Sequence, residues 1–137
     1  MWTCPNCHRP FQVTNQSHIC NDTTIDDIFA GKSDNVVLAF DEVLLATAEW
    51  EPNIITAATK AVVFTNKRAW LIVRPLTKAL DVSFYTGQAI VHPHVRRSAP
   101  MGKTGKKFRH TVRLNGPGEL LPGIVDLLRE GFEFGNR

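Results

Sequence analysis

Cysteine is scarce in this chain of 137 residues: there are three, and none lies beyond the first twenty residues. Three cysteines cannot all pair with one another, which argues against a framework of disulfides, and no secretory signal peptide precedes them. No apolar run reaches the roughly eighteen residues that a transmembrane helix needs. We therefore expect a soluble, cytoplasmic protein with no membrane partner.

Acidic residues are nearly missing from the middle of the chain. Asp81 is the sole acid from Lys60 to Arg113, a segment that holds twelve lysines and arginines. The residues before Thr59 carry eight acids against two basic residues. The formal net charge is only +3, so the total charge says little about partners. The separation of acidic from basic residues along the chain does indicate an anionic partner. Acidic helices folded against basic strands would produce the same pattern.

The three cysteines belong to a metal-ligand pattern. Cys4 and Cys7 form a C-x-x-C pair, and a second pair follows at His18 and Cys20. Three thiolates and one imidazole complete the tetrahedral set of a structural Zn²⁺ site. His8 is the competing ligand, but adjacent residues rarely reach one ion without strain. The pattern predicts a zinc knuckle over the first twenty residues.

Hydrophobic periodicity predicts an α+β fold after the knuckle. The predicted elements are a helical turn within 21–32 that begins at Thr24 and stops at Gly31, a helix from 33 or 34 to about 51, a hairpin of 61–65 and 68–74, a strand over 78–84, a short strand over 89–92, a strand over 108–114, and a helix from 120 or 122 to 132. The sheet is predicted to be an antiparallel β-meander that the last helix covers on one face. The predicted parts are the knuckle at 1–20, a linker with a short helical turn at 21–32, and an α+β domain at 33–137.

The densest cations lie between two predicted strands, in a basic loop over 95–110. Phosphate contacts need such cations, glycines would permit close approach, and Phe108 would offer a ring for base stacking. The predicted nucleic-acid-binding residues are Arg96, Arg97, Lys103, Lys106, Lys107 and Arg109. A solvated loop is the alternative interpretation, because runs of glycine, lysine and threonine often serve solubility alone.

A second hypothesis places an enzyme or small-ligand pocket at Lys60, Asp81 and His110. Each lies in or beside a predicted strand among apolar neighbours, and a carboxylate beside an imidazole is a common acid–base pair. A buried ion pair, or three residues on a solvated face, would give the same pattern. For Ser83 and Ser98, no spacing proposes the histidine and carboxylate that a nucleophilic serine requires.

The N-terminal patterns C-P-x-C-x-x-x-F and N-Q-x-H-x-C are accompanied by short downstream segments. These are Phe29-Ala-Gly-Lys32, Thr59-Lys60, Leu80-Asp81-Val82-Ser83-Phe84 and His110-Thr111-Val112-Arg113-Leu114. Together they resemble a bacterial family catalogued as domain of unknown function 5655. The resemblance implies a small cytoplasmic protein with an α+β domain and no established reaction. Two positions depart from the family pattern: His8 replaces a glycine, which keeps His8 open as a contributor to the metal site, and Ala58 replaces a proline.

The function that the sequence favours is a zinc-containing binding protein that engages nucleic acid or another polyanion through the basic loop. Zinc knuckles recur in nucleic-acid-binding proteins, which supports this hypothesis. A third hypothesis is an adaptor that binds a protein partner through the knuckle, since many knuckles only brace a fold or bind protein.

Overall fold

A computed structural model describes residues 1–5, 10–15, 24–102 and 105–137. In chain order, the elements of these residues are β1 (Trp2–Thr3), β2 (Pro10–Phe11), α1 (Ile25–Phe29), α2 (Asp34–Thr47), β3 (Ile54–Ala57), β4 (Val62–Thr65), β5 (Ala69–Pro75), β6 (Leu80–Thr86), β7 (Arg97–Pro100), β8 (Phe108–Leu114) and α3 (Pro122–Gly135). The mixed α+β class and the closing helix are confirmed. No helix of the described residues is long and apolar enough to cross a bilayer.

The main sheet has the strand order β3-β4-β5-β6-β8-β7, and all its neighbouring strands are antiparallel. Strands β3 to β6 follow one another as a meander. At the other end β8 lies beside β6, and β7 forms the outer edge. The prediction of a simple meander was wrong here, because Arg97–Pro100 has no apolar alternation and is recognisable as a strand only from its pairing with β8.

Other differences from the predictions concern α2, β3 and residues 89–92. Helix α2 ends at Thr47, before the predicted residue 51, and the chain then turns so that the Trp50 ring lies 5.9 Å from that of Trp70. Strand β3 was not predicted, although its sequence Ile-Ile-Thr-Ala is rich in β-branched residues. Residues 89–92 form no strand.

Side chains alternate between the two faces of the main sheet. The face beneath the helices, called the core face, contains a row of paired residues from β4, β5, β6 and β8 that are all fully buried. This row is Phe64, Leu71, Phe84 and His110. The opposite face, called the open face, carries the intervening polar residues of β6 and β8. Strand alternation therefore separates an apolar core from a polar surface.

Two glycines let α3 approach the core face closely. A Cβ at Gly135 would lie 2.6 Å from Trp70 Cβ, and one at Gly131 would lie 3.0 Å from Phe84 Cβ. A Cβ at Gly135 would overlap the sheet, and one at Gly131 would make a tight contact that Phe84 could relieve only by shifting, so these glycines allow the helix to lie this close to the sheet. Helix α1 begins with a capping box that Thr24 and Asp27 form, which confirms the predicted role of Thr24.

The N-terminal ribbon of β1 and β2 packs beside the main sheet. The rings of Trp2 and Phe11 lie 5.9 Å apart across the ribbon. Gln12 Nε2 donates a hydrogen bond of 3.3 Å to the carbonyl oxygen of Asn66, in the turn between β4 and β5. The ring contact holds the two strands of the ribbon together, and the Gln12 hydrogen bond connects the ribbon to the main sheet.

Candidate anion-binding face

Five arginines surround a cavity of about 470 Å³ on the open face. They come from β5, from β8 and from the segment that starts β7, and we call them the arginine face: Arg74, Arg96, Arg97, Arg109 and Arg113. The alternation of β8 explains part of this set, because its apolar residues enter the core and leave Arg109, Thr111 and Arg113 on the open face. Among the described residues that line the cavity, Asp81 is the only acid.

The register of the strands brings like charges together. Arg97 of β7 pairs with Thr111, so it lies diagonally between Arg109 and Arg113 of the neighbouring strand. Such diagonal neighbours are separated by about 7–8 Å at Cα, within reach of long side chains. Like charges at this spacing repel one another, and a bound anion would relieve that repulsion.

Asp81 organises one side of the cavity. Its carboxylate accepts two hydrogen bonds from Arg113, at 2.8 Å from Nε and 3.2 Å from Nη2. The hydrogen bond and the charge of Asp81 raise the pKa of Arg113. On the other side of Asp81, Arg74 occupies the directly opposite position on the neighbouring strand β5. Asp81 therefore lies between two arginines and holds Arg113 in a fixed orientation.

Hydroxyl groups form the floor beside this ion pair. Ser83 Oγ and Thr111 Oγ1 are 3.1 Å apart, and Arg109 Nη2 lies 3.5 Å from Ser83 Oγ. At the edge, Lys107 Nζ lies 4.4 Å from the centroid of the Tyr85 ring. The face thus offers guanidinium and hydroxyl donors, which suit the oxygens of a phosphate group.

The predicted basic loop is only partly a loop. Arg97 belongs to β7, and Arg96 already donates its N–H to the carbonyl oxygen of Thr111 at 2.8 Å. Lys106 and Lys107 precede β8, and Lys103 lies outside the described residues.

Phe108 starts β8 on the core side, in line with the buried His110 and opposite to Arg109. The expectation that Phe108 offers a stacking ring among the cations was therefore wrong, because strand alternation turns it away from the arginine face.

His110 is fully buried and engaged at both ring nitrogens. Nε2 lies 2.6 Å from Thr86 Oγ1, which donates to the carbonyl oxygen of Gln88, so Nε2 must itself be the donor. Nδ1 then accepts from Ser98 Oγ at 2.9 Å, and Ser98 Oγ accepts from the N–H of Ile90. Burial lowers the pKa of His110. The network therefore holds a neutral imidazole.

Sequence spacing did not reveal the contact between Ser98 and His110, which depends on the pairing of β7 with β8. It differs from a nucleophilic triad, because a threonine hydroxyl and not a carboxylate orients the histidine. The histidine is also 0% exposed. These features fit a buried polar network that fixes the edge strand.

Residues 25–135 match the family described as Domain of unknown function (DUF5655). The chain belongs to the DUF5655 family. No curated protein and no solved structure showed significant similarity to it. The match includes all five arginines of the arginine face, so that face is part of the DUF5655 domain.

The structure does not bring together the three candidate pocket residues of this DUF5655 chain. Asp81 lies on the open face, where it binds Arg113. His110 lies on the core face, in the row that contains Phe84. Lys60 is exposed in the turn between β3 and β4. An acid–base site made of Lys60, Asp81 and His110 therefore has no geometric support.

The predicted zinc ligands precede the DUF5655 match. Cys4 is 5% exposed and directly follows β1. Cys7, His18 and Cys20, together with the alternative ligand His8, lie outside the described residues. Within residues 1–5, 10–15, 24–102 and 105–137, no group of three or more His, Cys, Asp and Glu side chains could hold a metal ion. The zinc ligand set therefore stays a prediction.

Proposed function

We propose that this protein binds nucleic acid or another polyanion through the arginine face. The observation that carries the proposal is the convergence of five arginines on one cavity whose lining, in the described chain, includes a single carboxylate. Arginine suits this role because its planar guanidinium donates two parallel hydrogen bonds to a phosphate and stays charged. The contacts are to phosphates, and they carry affinity without sequence selection.

The proposal includes a structural Zn²⁺ held by Cys4, Cys7, His18 and Cys20. Two features of the described residues support it. Strand β1 ends just before Cys4, and β2 begins at Pro10, so the C-x-x-C pair falls between two paired strands. Cys4 is also buried. The metal would stabilise the ribbon that packs beside the sheet and would take no part in a reaction.

Fluorescence anisotropy of the zinc-loaded protein with a labelled 20-base-pair DNA tests the proposal. The double variant Arg97→Gln/Arg109→Gln should bind at least tenfold more weakly at low salt, because it removes two phosphate donors. Asp81→Asn should bind several-fold more tightly, because it removes the carboxylate that competes with the phosphate for Arg113.

Arg129→Gln is the matched control. Arg129 is an exposed arginine on α3 and forms a 3.3 Å ion pair with Glu133, away from the arginine face. Its replacement should leave DNA affinity unchanged. The proposal is wrong if the wild-type protein fails to bind at low salt, or if Arg129→Gln weakens binding as much as the double variant does.

A further inference from the structure

A second cationic cavity, of about 490 Å³, adjoins the arginine face. It lies between α1, the turn from β3 to β4 and the turn from β5 to β6. Its cationic lining residues are Lys32, Lys60 and Arg74. Among the described lining residues Asp27 is the one acid, and its carboxylate accepts a hydrogen bond from the N–H of Thr24 in the capping box.

Local structure fixes the position of Lys32 in this cavity. The next residue, Ser33, donates its N–H to the carbonyl oxygen of Thr77 at 3.1 Å. This bond ties the connection between α1 and α2 to the turn between β5 and β6. Lys60 approaches from the neighbouring turn, so two lysines that are distant in sequence line one cavity.

Arg74 joins the two cavities. It lines the second cavity together with Lys60, and it lines the arginine face together with Asp81, its pairing partner in β6. From β5 to the outer edge at β7 there are three strand spacings, or about 14 Å. A single phosphate group cannot span this distance, whereas about four successive phosphates of one DNA strand can.

The lining of both cavities indicates which nucleic acid would fit. None of the described residues that line them is aromatic. Proteins that bind single strands usually stack the bases on aromatic side chains. A duplex keeps its bases stacked internally and presents phosphates, which match a surface of guanidinium and ammonium groups.

We infer that the ligand is a nucleic acid duplex whose phosphate backbone runs from the arginine face past Arg74 into the cavity of Lys32 and Lys60. This inference rests on the proposed function of the arginine face. It adds two phosphate contacts from outside the predicted basic loop, and it excludes recognition of unstacked bases.

The salt dependence of DNA binding tests the inference, because each phosphate contact contributes about 0.9 to the slope of log K against log salt. The full-length, zinc-loaded protein is titrated with a labelled 20-base-pair duplex and with one of its strands. Lys60→Gln should lower the slope by about 0.9, and Lys32→Gln/Lys60→Gln by about 1.8. The duplex should bind at least tenfold more tightly than the single strand.

Lys67→Gln is the matched control. Lys60 and Lys67 are exposed lysines in the turns at the two ends of β4, but Lys67 lies outside both cavities. Its replacement should leave the slope unchanged. Thermal melting should show that all three variants are folded.

Duplex binding with unchanged slopes in both Lys60 variants would overturn the inference while leaving the arginine face as the binding site. An equal loss of slope in Lys67→Gln would also overturn it, since net charge would then explain the effect. Tighter binding of the single strand would overturn the choice of a duplex. A complete lack of DNA binding would instead refute the proposed function itself.

Discussion

Alanine at Gly135 should destabilise the fold, because the packing of α3 on the sheet leaves no space for a Cβ at this position. A Cβ there would lie 2.6 Å from Trp70 Cβ and 2.9 Å from Asn66 Oδ1. Trp70 Cβ is attached to the β5 backbone and the residue is fully buried, so only a shift of the helix can open the contact. Overpacking of this kind costs about 1–3 kcal/mol. We take the middle of this range, about 2 kcal/mol. The better helix propensity of alanine offsets up to about 1 kcal/mol of it, which leaves a net loss of roughly 1–2 kcal/mol.

Urea unfolding followed by tryptophan fluorescence measures this loss, and the melting temperature should fall by roughly 3–10 °C. Gly123→Ala, in the first turn of the same helix, is the control. A Cβ at Gly123 would lie 3.9 Å from His92 Nε2, an ordinary contact, so this variant should be as stable as the wild type or up to about 1 kcal/mol more stable. If Gly135→Ala equals or exceeds the wild type in stability, the account of helix–sheet packing is refuted.

Three further predictions concern buried polar groups and the metal. Asn66→Ala should lower the free energy of unfolding by about 1–3 kcal/mol in urea titration, because buried Asn66 Nδ2 donates to the carbonyl oxygen of Phe132 at 2.8 Å; an unchanged midpoint would contradict this. Because burial lowers the pKa of His110, the unfolded chain takes up the proton first and stability should fall as the pH drops below about 6.5. His110→Gln should flatten that part of the pH profile, and equal slopes in both proteins would count against the argument. Cys4→Ser and Cys7→Ser should lose Zn²⁺ in elemental analysis, whereas full retention of the metal by both would reject the ligand set.

Local patterns predicted the elements that carry their own signal. Thr24 was identified as the start of α1, and the hairpin about Asn66 and Lys67 corresponds to β4 and β5. The strand predicted over 108–114 corresponds to β8, in which apolar residues alternate with polar ones. These features depend on neighbours close in sequence, which is why sequence analysis recovers them.

Edge strands and register were harder to predict because they depend on distant partners. Strand β7 contains Arg97 and Pro100 and has no apolar face, so its identity comes from β8. The sequence likewise could not show that Arg74 and Arg113 lie on either side of Asp81, since this follows from the pairing of three strands.

The incorrect grouping of Asp81 with His110 had a different cause. Asp81 alternates with the apolar residues of β6, whereas His110 occupies an apolar position of β8. Alternation alone therefore places the two side chains on opposite faces, so the sequence already contained the information needed to separate them. Lys60 could not be placed in this way, because it lies in a turn.

The central claim is that the arginine face contacts the phosphates, and an NMR titration of amide chemical shifts with a DNA duplex tests it most directly. For a protein of 15.3 kDa, single-residue assignment is practical. The largest shifts should occur at Ser83, Arg97, Arg109, Thr111 and Arg113, with little change along the outer side of α3. Shifts concentrated on α2 or α3, or no shifts at a DNA excess in low salt, would contradict the claim.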